Sequence, residues 1–204
     1  MVKVYLFIKR VLDILISLTG IILLFPISIV IKLLYIINKD KYTIFYKQER
    51  VGKNGKAFIM YKYRTMIPNA SNYLNEVISN NKYEWKKYRK IGNDPRITKI
   101  GRILRKSSID ELPQLINVLK GDMSLIGPRP LLKGELDYYK GNHDKYEKYK
   151  PGITGYWACN GRNNINYKER LKLEYYYCDN IGLFLDIKIF LKTIIIIIKR
   201  VGAK

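Results

Sequence analysis

The sequence has almost none of the residues that build metal and redox centres: among 204 residues there are two cysteines and one histidine. Cys159 and Cys178 share no CxxC spacing and His143 stands apart from both, so neither a disulfide framework nor a zinc site is signalled. Both thiols read as reduced core residues. A nucleophilic cysteine needs a base, and His143 lies in a Lys-, Asp- and Tyr-rich stretch typical of a solvated helix face. Acidic charge is scarce too. Against 38 Lys and Arg stand 17 Asp and Glu, and the resulting +21 calls for a polyanion, an anionic membrane face or phosphorylated ligands. Internal repeats and low-complexity linkers are missing. What is present is apolar: 48% hydrophobic and 13% aromatic residues exclude a disordered basic tail, and the length suits one globular domain with an appendage.

From Val11 to Ile31 the only ionisable residue is Asp13, and the run is close to the ~20 residues that a membrane-spanning helix needs. No cleavage site of small residues follows it, so the segment is expected to stay in the mature chain. Pro26 removes a backbone donor and clashes with the preceding turn, which predicts a kink or break near Phe25. Lys3, Lys9 and Arg10 precede the run, and Lys32, Lys39 and Lys41 follow it. Equal basicity at both ends fits a bent helix that enters and leaves by the cytoplasmic face; a single-pass helix with a tolerated proline is the alternative. Leu183 to Val201 interleaves Ile, Leu and Phe with Lys188, Lys192, Lys199 and Arg200. It reads as an amphipathic helix lying on a membrane surface, or as a buried core helix.

Between these segments the pattern predicts a strand, turn and strand over Thr43 to Met66 around Gly52 to Gly55. Helices follow over Asn69 to Lys90, Ile97 to Lys106, Glu111 to Lys120, Leu131 to Tyr149 and Tyr167 to Cys178. Gly127 to Pro130 forms a rigid corner and Pro151 to Arg162 a glycine-rich loop. The fold class is therefore α+β and mostly helical.

Chemistry concentrates in Asn93 to Pro130. Asp110 and Glu111 fall at a predicted helix start, where backbone N–H groups favour negative charge, and Pro113 fits the first turn. Ser108 to Glu111 also fits an S-x-x-E capping box, in which both residues merely satisfy backbone donors. Their company favours phosphoryl chemistry: adjacent carboxylates beside Arg96, Arg102, Arg105 and Arg129 suit positioning and charge neutralisation. Mg²⁺ takes one or two carboxylates plus substrate phosphates, so a lack of His and Cys does not count against it.

Six motifs at fixed spacing carry a resemblance that runs nearly end to end. They are KRxxD (Lys9, Arg10, Asp13), YKYRTM (Tyr61 to Met66), NDPRIT (Asn93 to Thr98), GRILRKSSIDELPQLINVLKGDMSLIGPRP (Gly101 to Pro130), PGITG (Pro151 to Gly155) and NGRN (Asn160 to Asn163). On these the chain resembles the bacterial sugar transferase family, the monotopic phosphoglycosyl transferases.

The resemblance implies a ping-pong reaction. Asp110 attacks the sugar-bearing phosphorus of a UDP-sugar, UMP leaves, and polyprenyl phosphate takes the phosphosugar, the first membrane step of capsule, exopolysaccharide, O-antigen or glycoprotein glycan assembly. Glu111 would be general base or metal neighbour, Mg²⁺ would sit at Asp110, and Arg129 would hold a phosphate. Lys62, Arg64 and Arg96 match basic motifs at the substrate. Arg162 and Asp186 match positions near the nucleotide, with a structural ion pair equally open. Residues 1–40 would form a re-entrant membrane helix broken at Pro26, and residues 41–204 a catalytic domain on the cytoplasmic face of the inner membrane. Anionic lipids are expected partners, nucleic acid is not, and a homodimer stays open. Three departures stand out: Phe25 replaces the usual Ser, Glu174 replaces Asp, and Tyr156, Trp157, Ala158 and Cys159 follow PGITG where Trp, Ala, Gln and Val are usual. The rival readings are a basic membrane-surface or nucleic-acid-binding protein without catalysis and a degenerate scaffold.

Overall fold

The computed structural model describes residues 2–88, 91–138, 140–161 and 165–199. Arg162, Asn163 and Arg200, and the expected helix ends at Lys90 and Val201, lie outside them. The chain opens with α1, Val2–Ile37, a 36-residue helix. Its buried residues are Asp13, Ser17, Leu24, Ile31 and Tyr35. Steps of four and seven along a helix return to one face, so these form a single stripe against the rest of the protein. The other faces expose apolar side chains such as Phe7, Ile22, Leu23 and Phe25.

The expected break at Pro26 is not found. The helix continues through it, with Pro26 on the exposed side. The physical reason lies in the stripe: Leu24 before the proline and Ile31 and Tyr35 after it enter one core cluster with Ile44, Tyr63 and Leu104. Packing on both sides of the proline holds the two halves in one element.

The predicted hairpin is present: β1, Phe45–Val51, pairs antiparallel with β2, Ala57–Tyr63, from Phe45 opposite Tyr63 to Val51 opposite Ala57. Asn54 and Gly55 supply the left-handed φ values of 56° and 72° that reverse the chain. Two short helices follow, α2 (Leu74–Asn80) and α3 (Lys82–Tyr88), then α4 (Lys99–Ser107), N-capped by the Thr98 side chain. A 3-10 turn, Ile109–Glu111, leads into α5 (Gln114–Lys120), which ends at Gly121 with φ 92°. Then come β3 (Ser124–Ile126), α6 (Glu135–Tyr138), α7 (His143–Tyr146), β4 (Gly152–Thr154), α8 (Tyr167–Asp179) and α9 (Leu183–Lys199).

Two expectations change. The single helix over Leu131 to Tyr149 is two four-residue turns, because Gly134 with a left-handed φ of 74° precedes α6, and Lys140 with a left-handed φ of 52° and the Asn142 cap of α7 separate the second turn from the first. The glycine-rich loop contains β4, which pairs parallel with β3.

Asn117 joins α5 to the hairpin. Its amide nitrogen donates to Ile59 O at 2.6 Å and its oxygen accepts from Tyr61 N–H at 3.0 Å, so one side chain serves the open edge of β2 as a strand would. Arg10 of α1 donates to Val118 O and Leu119 O at the end of α5, and Asp13 accepts from Leu125 N–H at the start of β3. The KRxxD motif is thus the docking device of α1, satisfying terminal helix carbonyls with a cation.

Candidate active site

Asp110 and Glu111 sit in the 3-10 turn between α4 and α5. Ser108 enters that turn with a left-handed φ of 59° and gives no side-chain cap, so the S-x-x-E pattern is not a capping box here. The box that does form is Asn166 with Glu169 at the start of α8. Released from capping, Glu111 turns to the hairpin: Lys62 of β2 donates to its Oε1 at 2.7 Å, both groups being half-buried.

Arg105 comes to the same place from α4. Its Nε donates to Thr65 Oγ1 at 2.9 Å. Burial pushes the guanidinium below its ordinary pKa, opposed by the negative charges of Asp110, Asp94 and Glu111. The dyad is therefore flanked by a lysine from a strand and an arginine from a helix, an arrangement that can hold a diphosphate and stabilise charge developing on it. Among the described residues no group of three His, Cys, Asp or Glu side chains forms a metal cluster. Two adjacent carboxylates do fit Mg²⁺, which fills its remaining positions with water and substrate phosphate.

Other expected substrate residues are committed elsewhere. Arg96 donates twice to Asp94, Nε to Oδ1 at 2.9 Å and Nη2 to Oδ2 at 2.6 Å, and once to Ala70 O at 3.2 Å. It staples the NDPRIT loop to the chain before α2. Arg64 donates to Thr43 O, Met66 O and Asp40 Oδ2 and lies over the Tyr35 ring. It fastens the end of α1 to the end of β2. Asp186 accepts from Tyr5, Lys9 and Tyr177, tying the start of α1 to α9. Of the two readings open for Asp186, the structural ion pair is the one found.

Arg129 occupies a third location. Arg50 Nη1 donates to Pro130 O at 3.1 Å, and Arg50 faces Phe58 near the hairpin turn, whereas Lys62 lies four residues further along β2. The corner and the dyad are thus met by different rows of the hairpin, the corner by Arg50 opposite Phe58 and the dyad by Lys62 opposite Tyr46. Arg129 and Arg170 both lie over the Trp157 ring, at 5.4 and 5.7 Å. Beneath them Glu174 is fully buried, and burial pushes its pKa up to about 7 against the pull of Arg170 and Arg129. In the sequence Arg105 is one basic residue of a cluster; its contact with Thr65, which distinguishes it, depends on tertiary packing.

A family model described as bacterial sugar transferase matches residues 4–200, across the dyad, the corner and both long helices. The chain belongs to the bacterial sugar transferase family. It is 44% identical over 200 residues to undecaprenyl-phosphate galactose phosphotransferase of Salmonella typhimurium, covering 97% of this chain and 42% of that protein. It is 40% identical over 189 residues to exopolysaccharide production protein ExoY of Sinorhizobium fredii, covering 91% and 83%. It is 36% identical over 208 residues to the UDP-N-acetylgalactosamine-undecaprenyl-phosphate N-acetylgalactosaminephosphotransferase of Aeromonas hydrophila, covering 98% and 46%. Against the first of these the chain spans about two fifths of the relative's length, whereas ExoY is matched over most of its own.

Proposed function

We propose that this sugar transferase moves a sugar 1-phosphate from a UDP-sugar to a polyprenyl phosphate and releases UMP. The observation that carries the reading is the Asp110–Glu111 pair set between Lys62 and Arg105 beside a long helix with an exposed apolar face. Relatives whose names specify undecaprenyl phosphate as acceptor support the same reaction.

In the first half-reaction an Asp110 carboxylate oxygen bonds to the phosphorus that bears the sugar; the bond to the bridging oxygen breaks and UMP departs with that electron pair. In the second, a phosphate oxygen of the polyprenyl phosphate bonds to the same phosphorus, and Asp110 leaves as carboxylate. The product is a polyprenyl diphosphate sugar. Glu111, held by Lys62, is placed to assist as base, and Arg105 to offset charge on the transferring phosphoryl group. Asp110, with Glu111 beside it, would hold Mg²⁺, which when bound would supply further neutralisation of the diphosphate. Arg129 of the Pro-Arg-Pro corner is assigned the remaining phosphate of the same diphosphate.

The protein acts at the cytoplasmic face of the membrane in this reading, with both ends of α1 on one side. Tyr5 and Lys9 bind Asp186 at one end, and Arg64 binds Asp40 just beyond the other, so both ends stay against the same globular body. The exposed apolar faces of α1 and α9 then enter lipid while the cationic surface meets anionic headgroups, each Lys or Arg near the surface contributing about 1 kcal/mol.

The test is UMP release by the purified protein in lipid nanodiscs across a panel of UDP-sugars, with and without polyprenyl phosphate. Turnover sustained only when the lipid phosphate is present supports the reaction. UMP release from no donor in the panel, or none that depends on the acceptor, contradicts it.

A further inference from the structure

Pro128 and Pro130 have no backbone N–H, so Arg129 carries the single donor between Gly127 and Leu131. That donor and every carbonyl from Pro128 to Leu131 are accounted for. Gly152 N–H donates to Pro128 O at 2.8 Å, Arg50 to Pro130 O at 3.1 Å and Val51 N–H to Leu131 O at 2.9 Å. The peptide groups of Arg129 itself go to two side chains. Its N–H donates to Glu174 Oε1 at 3.0 Å, and its C=O accepts from Tyr146 OH at 3.0 Å. Both side chains are buried, Glu174 with no exposure and Tyr146 at 4%. Tyr146 Oη also lies 3.4 Å from Glu174 Oε1, so the pair encloses one residue from both sides.

An ionisable group is an expensive way to accept one backbone hydrogen bond in a dry interior. Its placement has a rationale in what surrounds it: Arg129 and Arg170 converge above it on Trp157, and Arg50 lies behind the corner. The Nε of Arg129 and the Oε2 of Glu174 are buried without a hydrogen-bond partner among the described residues. The guanidinium is thus anchored through its backbone, while its outer nitrogens remain directed to the partly exposed face over Trp157.

We propose that Tyr146 and Glu174 are positioning residues for donor recognition, a clamp on the main chain of Arg129 that holds its guanidinium at the diphosphate of the nucleotide sugar. This rests on the proposed transferase reaction. Neither residue touches substrate; both act through Arg129. Losing one clamp bond therefore weakens donor binding more than it slows a bound donor.

The experiment is steady-state UMP release in nanodiscs with the best UDP-sugar of the panel. The variants are Tyr146→Phe, Glu174→Gln, Glu174→Leu, Arg129→Ala and the double variant Tyr146→Phe/Arg129→Ala, each first melted to establish that it is folded. The clamp predicts that Tyr146→Phe raises KM about three- to tenfold with kcat within about twofold of wild type. Glu174→Gln, which keeps an acceptor oxygen, retains lower KM than Glu174→Leu. Tyr146→Phe adds nothing further once Arg129 is Ala, because its route to the substrate is gone. Wild-type KM in Tyr146→Phe or in Arg129→Ala overturns the clamp, as does a Tyr146→Phe penalty that persists undiminished without the Arg129 side chain. Absence of UMP release by the wild type overturns the transferase reading and the clamp together, which separates the two failures.

Discussion

Buried charge divides the basic and acidic residues of this protein into those that hold the fold and those left to meet a ligand. Arg96 and Asp94 are 8% and 6% exposed and bonded twice to each other, so removing either partner strands a charge in the interior. Arg96→Ala is expected to cost about 3 to 5 kcal/mol in denaturant unfolding while leaving KM for the donor unchanged in the folded fraction. A raised KM at normal stability would return Arg96 to the substrate. Glu174 gives a pH signature. The unfolded chain releases this proton near 4.5 and the folded protein keeps it to about 7. The stability it contributes is therefore full below pH 4.5, declines as pH rises and is gone above about 7, a loss of order 3 kcal/mol. Glu174→Gln should lose less stability than wild type between pH 5 and 7.5 in thermal melts; parallel curves would contradict the buried proton. At this scale the motifs name Asp110, Glu111, Lys62 and Arg129 as candidates, and the structure brings Lys62 to Glu111. The structural duties of Arg64, Arg96 and Asp186 are not, because each is decided by a partner 2 to 181 positions away.

Secondary structure is most readable where local signals and packing agree. The hairpin announces itself by the Gly52 to Gly55 turn between its two strands, and α4 and α5 overlap the helices expected over Ile97 to Lys106 and Glu111 to Lys120. Agreement fails where neighbours decide. Composition alone favours one helix over Leu131 to Tyr149, but Leu136, Tyr146 and Leu171 must meet in one cluster, and two short turns achieve that. Pro26 predicts a break that the buried stripe of α1 overrides. The same stripe leads to a topology expectation. With Arg10, Asp13 and Tyr35 all bonded to the globular body, cysteines introduced as Lys3→Cys and Lys41→Cys should both resist membrane-impermeant reagent in intact cells. Labelling of one from outside would mean that α1 crosses the bilayer. Gly20 offers an independent check: a Cβ there would lie 2.7 Å from Leu115 Cδ1. Gly20→Ile should therefore loosen α1 from α5 and cost about 1 to 3 kcal/mol of stability, read by denaturant unfolding in detergent.

The molecule as a whole combines a cationic surface of net charge +21 with apolar faces on its first and last helices. Those two helices are latched by Asp186 to Tyr5 and Lys9, and α1 also shares a core cluster with Ile109 and Leu112 on either side of the Asp110–Glu111 pair. In the proposed reaction a soluble donor and a lipid-borne acceptor visit the same carboxylate in succession, which makes the covalent intermediate its central claim. Intact-mass spectrometry of the protein in nanodiscs, given UDP-sugar but no polyprenyl phosphate, tests it directly. The account predicts that the wild type gains the mass of one phosphosugar as UMP is released, and loses it when polyprenyl phosphate is added. Asp110→Asn should gain none. An adduct of the same mass on Asp110→Asn, or wild-type turnover with no adduct at any time, would contradict Asp110 as the nucleophile.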